Sequence, residues 1–429
     1  MSNYNPGLIK RTFHNLRRQA AKYWIKLMQP YVIAITGSQG KTNTAYILSK
    51  LLPKALITDM NLDTYFNVPI TALKVKDHKQ LAIFELGIDK INEMDLHLEI
   101  VNPNISIITG IAPVHSDAEH LGSLENIIKE KRKMIEVLKP DDYAILNYDD
   151  LHVRDMAKYT KAKVFFYGSD KKECHVYTDA DLKNHSNYTL NKEGTTFSIF
   201  DEEHEIKLTT PLLGLHHISN IMACYLAFKL VKVNFLKEKA NYRQEFSDTL
   251  AQITPLKGRM SFEQGPRGLY ILNDSLRANI KSTKLGLKTF SLMQDLPGKK
   301  IAVLGEMGEI GEDEVLKHEQ LGKFIANLSD IDTVIGIGPL QKAAQEAAFK
   351  NGMVDSKYYW AKDVLVAAGI LGMLVKPGDT IYLKASLLRH MERLLMVLDG
   401  QAVGCNAISC PLYNHCSKCE FLHKGYIKQ

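Results

Sequence analysis

The stretch YVIAITGSQGKTNTAYILSKLL, residues 31–52, permits few structures. Its first six residues are a continuous apolar run of strand length, and its last eleven carry helical spacing, so the small-residue segment between them joins a buried strand to a helix. Gly37, Ser38 and Gly40 let backbone N–H groups, including that of Gln39, close around an anion. Lys41 can then reach terminal phosphates, and the Thr42 hydroxyl suits Mg²⁺. The full eight-residue phosphate-loop pattern is not met, because Ile35 stands where its first glycine belongs. A nucleotide-binding strand–loop–helix is the expectation, against a plain strand-to-helix turn.

Beyond the loop the alternation continues. LAIFELG (81–87), ISIITGI (105–111) and YAILN (143–147) read as strands, with helices over 42–52 and about 123–138. This is the pattern of a mostly parallel sheet covered by helices. Residues 163–210 shift to short alternating pieces, a small β-rich excursion before a helix at about 217–232. A second series follows over about 256–400, with YILND, KIAVLG, TVIGIG and DTIYLKAS as its strands. The expected domains are a basic amphipathic helix in 1–30, an α/β nucleotide-binding domain over 31–250, a second Rossmann-like α/β domain over 251–402 and a cysteine-rich tail over 403–429.

Charge narrows the function classes. The formal charge is +6, and Lys10, Arg11, Arg17, Arg18, Lys22 and Lys26 lie in 1–30 with no acidic residue, so that segment equals the whole excess. The remainder is close to neutral, which argues against a nucleic-acid binder. Ile9, Phe13, Leu16, Ala20, Trp24 and Leu27 recur at helical spacing and predict an apolar face. That face would dock on the following domain with the basic side in water, or rest on an anionic membrane or partner through residues 8–28. No apolar run approaches a membrane span, and the first residues lack a secretory pattern. A cytoplasmic monomer is expected.

A phosphate loop needs a metal partner, often an acid at a neighbouring strand end, and Glu85 closes the apolar run LAIFE. His115 follows the strand end of ISIITGI, and a Lys-rich helix starts after Ser123; by composition alone Lys129, Lys131 and Lys133 form a solvated basic face. In the tail, Cys405, Cys410, Cys416 and Cys419 fall within one short stretch, which suggests Zn²⁺ or an iron–sulfur cluster rather than disulfides. Cys174 and Cys224 are isolated and read as packing residues.

Several segments, in order, resemble the Mur ligase superfamily, the ATP-dependent amide ligases of peptidoglycan assembly: TGSQGKTNT, NVPIT, FELGI, IAPVHSDAEHLGSLENIIKEK, GLHHISNIMACYLAF, LKGRMSFE, LNDSLRANIKS, IAVLGEMGEIG and LKASLLRHME. They are most similar to the branch that adds D-alanyl-D-alanine to UDP-N-acetylmuramoyl-tripeptide. The resemblance implies ATP and Mg²⁺ as cofactors. It implies that Lys41, His115 and a carbamylated Lys131 serve catalysis, with Lys129 as the alternative if the register slips. It further implies Thr42, Glu85, His115 and Lys131 as magnesium ligands, and Asn220, Arg259 and Asp274 as nucleotide contacts beside the loop residues 37–42. His217, Leu276, Arg277, Ile280, Glu306, Ala385 and Leu387 depart from the family's patterns. About 30 residues precede the first strand, fewer than the family's uridine-gripping domain needs, so a muramyl peptide with weak dependence on its UDP group is expected. A ligase with another acceptor, and an ATP-binding module without turnover, are the alternatives.

Overall fold

The computed structural model describes residues 8–59, 64–112, 121–181, 186–308, 313–412 and 415–425, without the side chains of 8–11. The chain divides into two compact units, Met1–Tyr188 with Thr196–Thr210 and His216–Ile253, and Thr254–Gln429 with Thr189–Thr195 and Pro211–Leu215.

The first unit begins with α1 (Leu8–Met28), β1 (Tyr31–Thr36), α2 (Lys41–Leu51), β2 (Leu56–Ile57), α3 (Thr64–Ala72), β3 (Leu81–Glu85) and α4 (Glu93–Leu98). It continues through β4 (Ile105–Ile108), α5 (Leu124–Glu136), β5 (Tyr143–Asn147), α6 (Leu151–Asp155), β6 (Lys163–Gly168) and β7 (Val176–Tyr177). After β8 (Tyr188–Asn191) come β9 (Gly194–Asp201), β10 (His204–Thr210), α7 (His216–Leu230) and α8 (Tyr242–Ala251). The strands run in the order β10-β9-β7-β6-β5-β4-β1-β3-β2. From β2 to β7 every pairing is parallel, and β9 is antiparallel to β7. β1 is buried along nearly its whole length, as a strand covered on both faces by helices must be. Its apolar run therefore has no polar alternation.

In the second unit β11 (Ser261–Gln264), β12 (Tyr270–Asp274), α9 (Ile280–Leu292), β13 (Lys300–Leu304) and α10 (Glu314–Ile325) come first. β14 (Thr333–Ile337), α11 (Pro339–Lys350), β15 (Tyr358–Ala361), α12 (Val364–Leu374), β16 (Thr380–Lys384) and α13 (Glu392–Leu398) follow. The sheet order is β11-β12-β16-β13-β14-β15, parallel except for β11 against β12. Both units are thus mostly parallel α/β sheets, as the alternation predicts. The short strands β2, β11 and β15 were not legible, since two to four residues carry too little pattern to separate from a turn.

The face of α1 differs from expectation. Phe13, Leu16, Ala20 and Leu27 are exposed, and the buried row is His14, Arg18, Ala21 and Ile25. His14 packs its ring on Tyr65 and Phe66 of α3, with centroids 4.7 and 4.8 Å apart. Arg18 donates to the Leu96 carbonyl and lies over the Tyr65 ring. The long aromatic neighbours of α3 turn two polar side chains into packing surface, a choice that hydropathy alone scores the wrong way. Trp24, half-turned from solvent, donates Nε1 to the Val75 carbonyl at 2.8 Å.

Among the described residues, one helical segment, His216–Phe235, is long and apolar enough to cross a membrane, and most of it is buried inside its own unit.

Candidate functional site

β1 delivers the chain to the loop at Thr36, whose hydroxyl donates to the Leu86 carbonyl at 2.7 Å and ties the loop base to the end of β3. A Cβ on Gly37 would collide with Thr109 Oγ1, and one on Gly40 (φ +85°) would lie 2.6 Å from Asn220 Oδ1. Only glycine fits either place, and at Gly40 the left-handed backbone also turns the chain into α2. Ser38 fixes the loop from the other side: its N–H donates to the Gly110 carbonyl at 2.8 Å, and its Oγ exchanges hydrogen bonds with Ala112. The Gln39 carbonyl accepts from Thr109 Oγ1. The first residues of α2 face the cradle, and Lys41 Nζ donates to the Gly37 carbonyl at 2.7 Å, so the ammonium folds back across the loop.

Thr42 Oγ1 donates to Glu85 Oε1 at 3.0 Å. The β1–β3 register sets Ile35 opposite Glu85, which brings the strand-end carboxylate beside the first turn of α2. A hydroxyl and a carboxylate oxygen at this separation, next to a cradle that side chains cannot fill, are the hard donors that Mg²⁺ takes. Asn220, on α7, is buried against Gly40, and its Nδ2 has no hydrogen-bond partner among the described residues.

α5 starts at Ser123, whose Oγ accepts the Asn126 N–H at 3.1 Å. Of its three odd-numbered lysines, Lys129 is exposed and Lys133 pairs with Glu130 and Asp95 at 2.5 and 2.6 Å. Lys131 is buried at 4% exposure, so the solvated basic face expected from composition does not include it. Burial, reinforced by the charge of Lys41, holds its amine well below the ordinary lysine range against the opposing pull of Asp89, Glu93 and Glu130. A lowered lysine amine gives up its proton more readily, and the free amine can add CO₂ to become an anionic oxygen ligand.

The structure thus gathers Gly37, Ser38, Gln39, Gly40, Lys41, Thr42, Glu85 and Asn220 around one loop, and sets Lys131 within electrostatic reach of Lys41. His115 lies outside the described residues. Thr109, Asp89 and Glu93 were missed. Thr109 lies inside the stretch 105–111 read as a strand, though the strand ends at Ile108, and Asp89 and Glu93 lie four and eight residues beyond Glu85, but nothing in residue type marked any of them. Arg259 and Asp274 belong to the second unit, where Asp274 Oδ2 accepts from Lys384 Nζ at 2.6 Å and from Tyr382 OH at 3.0 Å. Register explains the pair, since β12 sets Asp274 opposite Lys384 of β16.

Of the four tail cysteines, Cys416 stands with His390 and Glu392 in the one cluster of metal-ligating side chains among the described residues, with ligand atoms within 4.8 Å of one another. The tail is fastened to α13. Arg393, fully buried, donates Nη1 to the Cys405 carbonyl and Sγ at 2.9 and 3.2 Å and Nη2 to the Ala407 carbonyl at 2.7 Å. The Cys410 N–H is taken by the Leu388 carbonyl at 2.9 Å.

Two family models match: the Mur ligase middle domain over residues 35–228, and the Mur ligase glutamate ligase domain over 258–387. A UDP-N-acetylmuramoyl-tripeptide--D-alanyl-D-alanine ligase of Buchnera aphidicola is 30% identical over 371 residues, covering 86% of this chain and 74% of its own. The enzyme of that name from Bacillus subtilis is 28% identical, covering 88% of this chain and 78% of its own. Among solved structures, MurF from Acinetobacter baumannii superposes with a TM-score of 0.77 at 24% identity, over 90% of this chain and 81% of that one. MurF from Thermotoga maritima, solved in complex with ADP, gives 0.72 at 22%, over 90% and 83%.

Proposed function

Because this chain belongs to the Mur ligase family, we propose that it is an ATP-dependent, ADP-forming ligase that joins D-alanyl-D-alanine to the carboxylate of a UDP-N-acetylmuramoyl-tripeptide or a related muramyl peptide. The observation that carries the reading is a glycine-lined loop with Lys41 and the Thr42–Glu85 pair, and a buried Lys131 within electrostatic reach of Lys41.

A substrate carboxylate oxygen attacks the γ-phosphorus of ATP, and ADP leaves. The amine of the dipeptide attacks the resulting acyl phosphate carbon. The tetrahedral intermediate then expels inorganic phosphate, and one proton is lost from nitrogen. The loop N–H groups and Lys41 hold the β- and γ-phosphates in line and offset charge as it builds on the transferred group. Thr42 and Glu85 would hold Mg²⁺, which when bound neutralises phosphate charge. Lys131, with CO₂ added and one proton released, would supply a further anionic oxygen on the same side, with His115 assigned beside it by resemblance. Asn220, whose Oδ1 lies against Gly40 and whose Nδ2 has no partner among the described residues, would contact the nucleotide.

Phosphate release measured with ATP, muramyl tripeptide and D-alanyl-D-alanine tests this. Release should require both the carboxylate and the amine. Release without either acceptor would make the chain a plain ATPase, and no release with any muramyl peptide would move the proposal to another acceptor. The exposed row Phe13, Leu16 and Leu27, on a helix with six cations and no acid, we assign to an anionic membrane surface.

A further inference from the structure

His390 is an unusual residue to find where it is. It is 4% exposed, it adopts the left-handed region at φ +47°, and its Nε2 is buried without a hydrogen-bond partner. A non-glycine residue held in that conformation costs free energy that the surroundings must repay. Its Nδ1 meets Glu392 Oε1 at 3.1 Å, and the same oxygen accepts the Cys416 N–H at 3.2 Å. One ligand atom from each of His390, Glu392 and Cys416 lies within 4.8 Å of the others. The three come from the loop before α13, from its first residue, and from the short helical turn Cys416–Lys418 in the tail.

We propose that His390, Glu392 and Cys416 form a binding site for one divalent zinc-class ion that clamps the tail to the end of the second unit. An imidazole nitrogen, a thiolate and a carboxylate oxygen are the donor types that zinc combines, and three protein ligands leave the fourth position to water. Zinc ligands around one ion stand roughly 3.5 Å apart, so the cluster closes by about an ångström when it fills. The cluster joins His390 and Glu392, at the end of the segment LKASLLRHME, to Cys416 of the tail, and the proposal does not rest on the ATP chemistry. Cys405 and Cys410 stand outside the cluster: the Cys405 Sγ accepts from Arg393, and the Cys410 N–H donates to the Leu388 carbonyl.

The test uses the full chain, with zinc counted by mass spectrometry and Co²⁺ as a spectroscopic probe. About one equivalent of zinc is expected in the wild type. His390→Asn and Cys416→Ser should each lower it at least tenfold at limiting zinc, while Cys419→Ser retains it. Cobalt should give visible bands of a four-coordinate site with charge-transfer intensity matching one thiolate. That reading needs no variant to fold. Folded wild-type protein that takes up neither metal would overturn the proposal. So would cobalt intensity matching four thiolates, or zinc kept by His390→Asn and lost in Cys405→Ser and Cys419→Ser, since the four cysteines would then be the ligands.

Discussion

On the proposed mechanism, Lys131 is the side chain that separates a ligase from a phosphate-binding shell. Lys131→Ala should abolish amide formation, and small carboxylic acids should partly restore it by standing in for the missing carbamate; full activity in the unsupplemented variant would remove Lys131 from the mechanism. Gly40 is a second decisive residue. Gly40→Ala places a methyl against Asn220 Oδ1 in a left-handed backbone that costs about 1 kcal/mol, so ATP affinity should fall at least tenfold; unchanged affinity would contradict the loop assignment. His97 supplies a pH signal. Fully buried, with Nε2 at 2.9 Å from the Gly87 carbonyl, its ring is pushed by burial down to about 4. The folded state keeps it neutral and the unfolded state protonates it below about 6.5, so its contribution is complete above that pH and is lost as pH falls toward 4. Relative to His97→Gln, the wild type should lose about 2.5 kcal/mol between pH 7.5 and 4.5 in urea unfolding. Parallel curves for the two proteins would contradict this.

Among the elements, α1 shows how two helical rows compete for one docking surface. Phe13→Ala should change stability by no more than about 0.5 kcal/mol, whereas Ile25→Ala should cost about 2–4 kcal/mol, and the reverse order would return the apolar row to the interior. Phe13→Glu with Leu27→Glu should leave folding intact and abolish sedimentation with anionic vesicles; wild-type protein that ignores such vesicles at low salt ends the membrane assignment. The second element-scale feature is Asp201 at the end of β9. It accepts from Tyr225 OH and Lys229 Nζ at 2.7 Å each and from Arg243 Nη2 at 3.3 Å, so one carboxylate ties β9 to α7 and α8. Asp201→Ala removes the acceptor shared by Tyr225, Lys229 and Arg243, leaving Lys229 with Glu202 at 3.9 Å, and should cost about 3 kcal/mol in denaturant unfolding.

For the whole molecule, ligand and fold are linked. ATP or ADP at a hundred times its dissociation constant should stabilise the protein by about 2.7 kcal/mol, and at the same ligand concentration the gain should fall to about 1.4 kcal/mol or less in Gly40→Ala. The alternation of apolar runs and helical spacing determined both parallel sheets, because a strand covered on two faces leaves no other reading of YVIAIT or KIAVLG. It also determined the loop, whose glycines and Lys41–Thr42 carry their own chemistry in order along the chain. What it left open depends on contacts distant in sequence. Lys131 looks like its neighbours in a basic helix until packing buries it and not Lys129. The face of α1 was decided by Tyr65 and Phe66, some fifty residues away, and the partner of Asp274 by the register of β12 on β16. The tail cysteines share a short stretch, yet Arg393, Glu392 and His390 divide them. Spacing fixes which residues are near along the chain, and desolvation and pairing, which set charge and reactivity, belong to the neighbours that folding supplies.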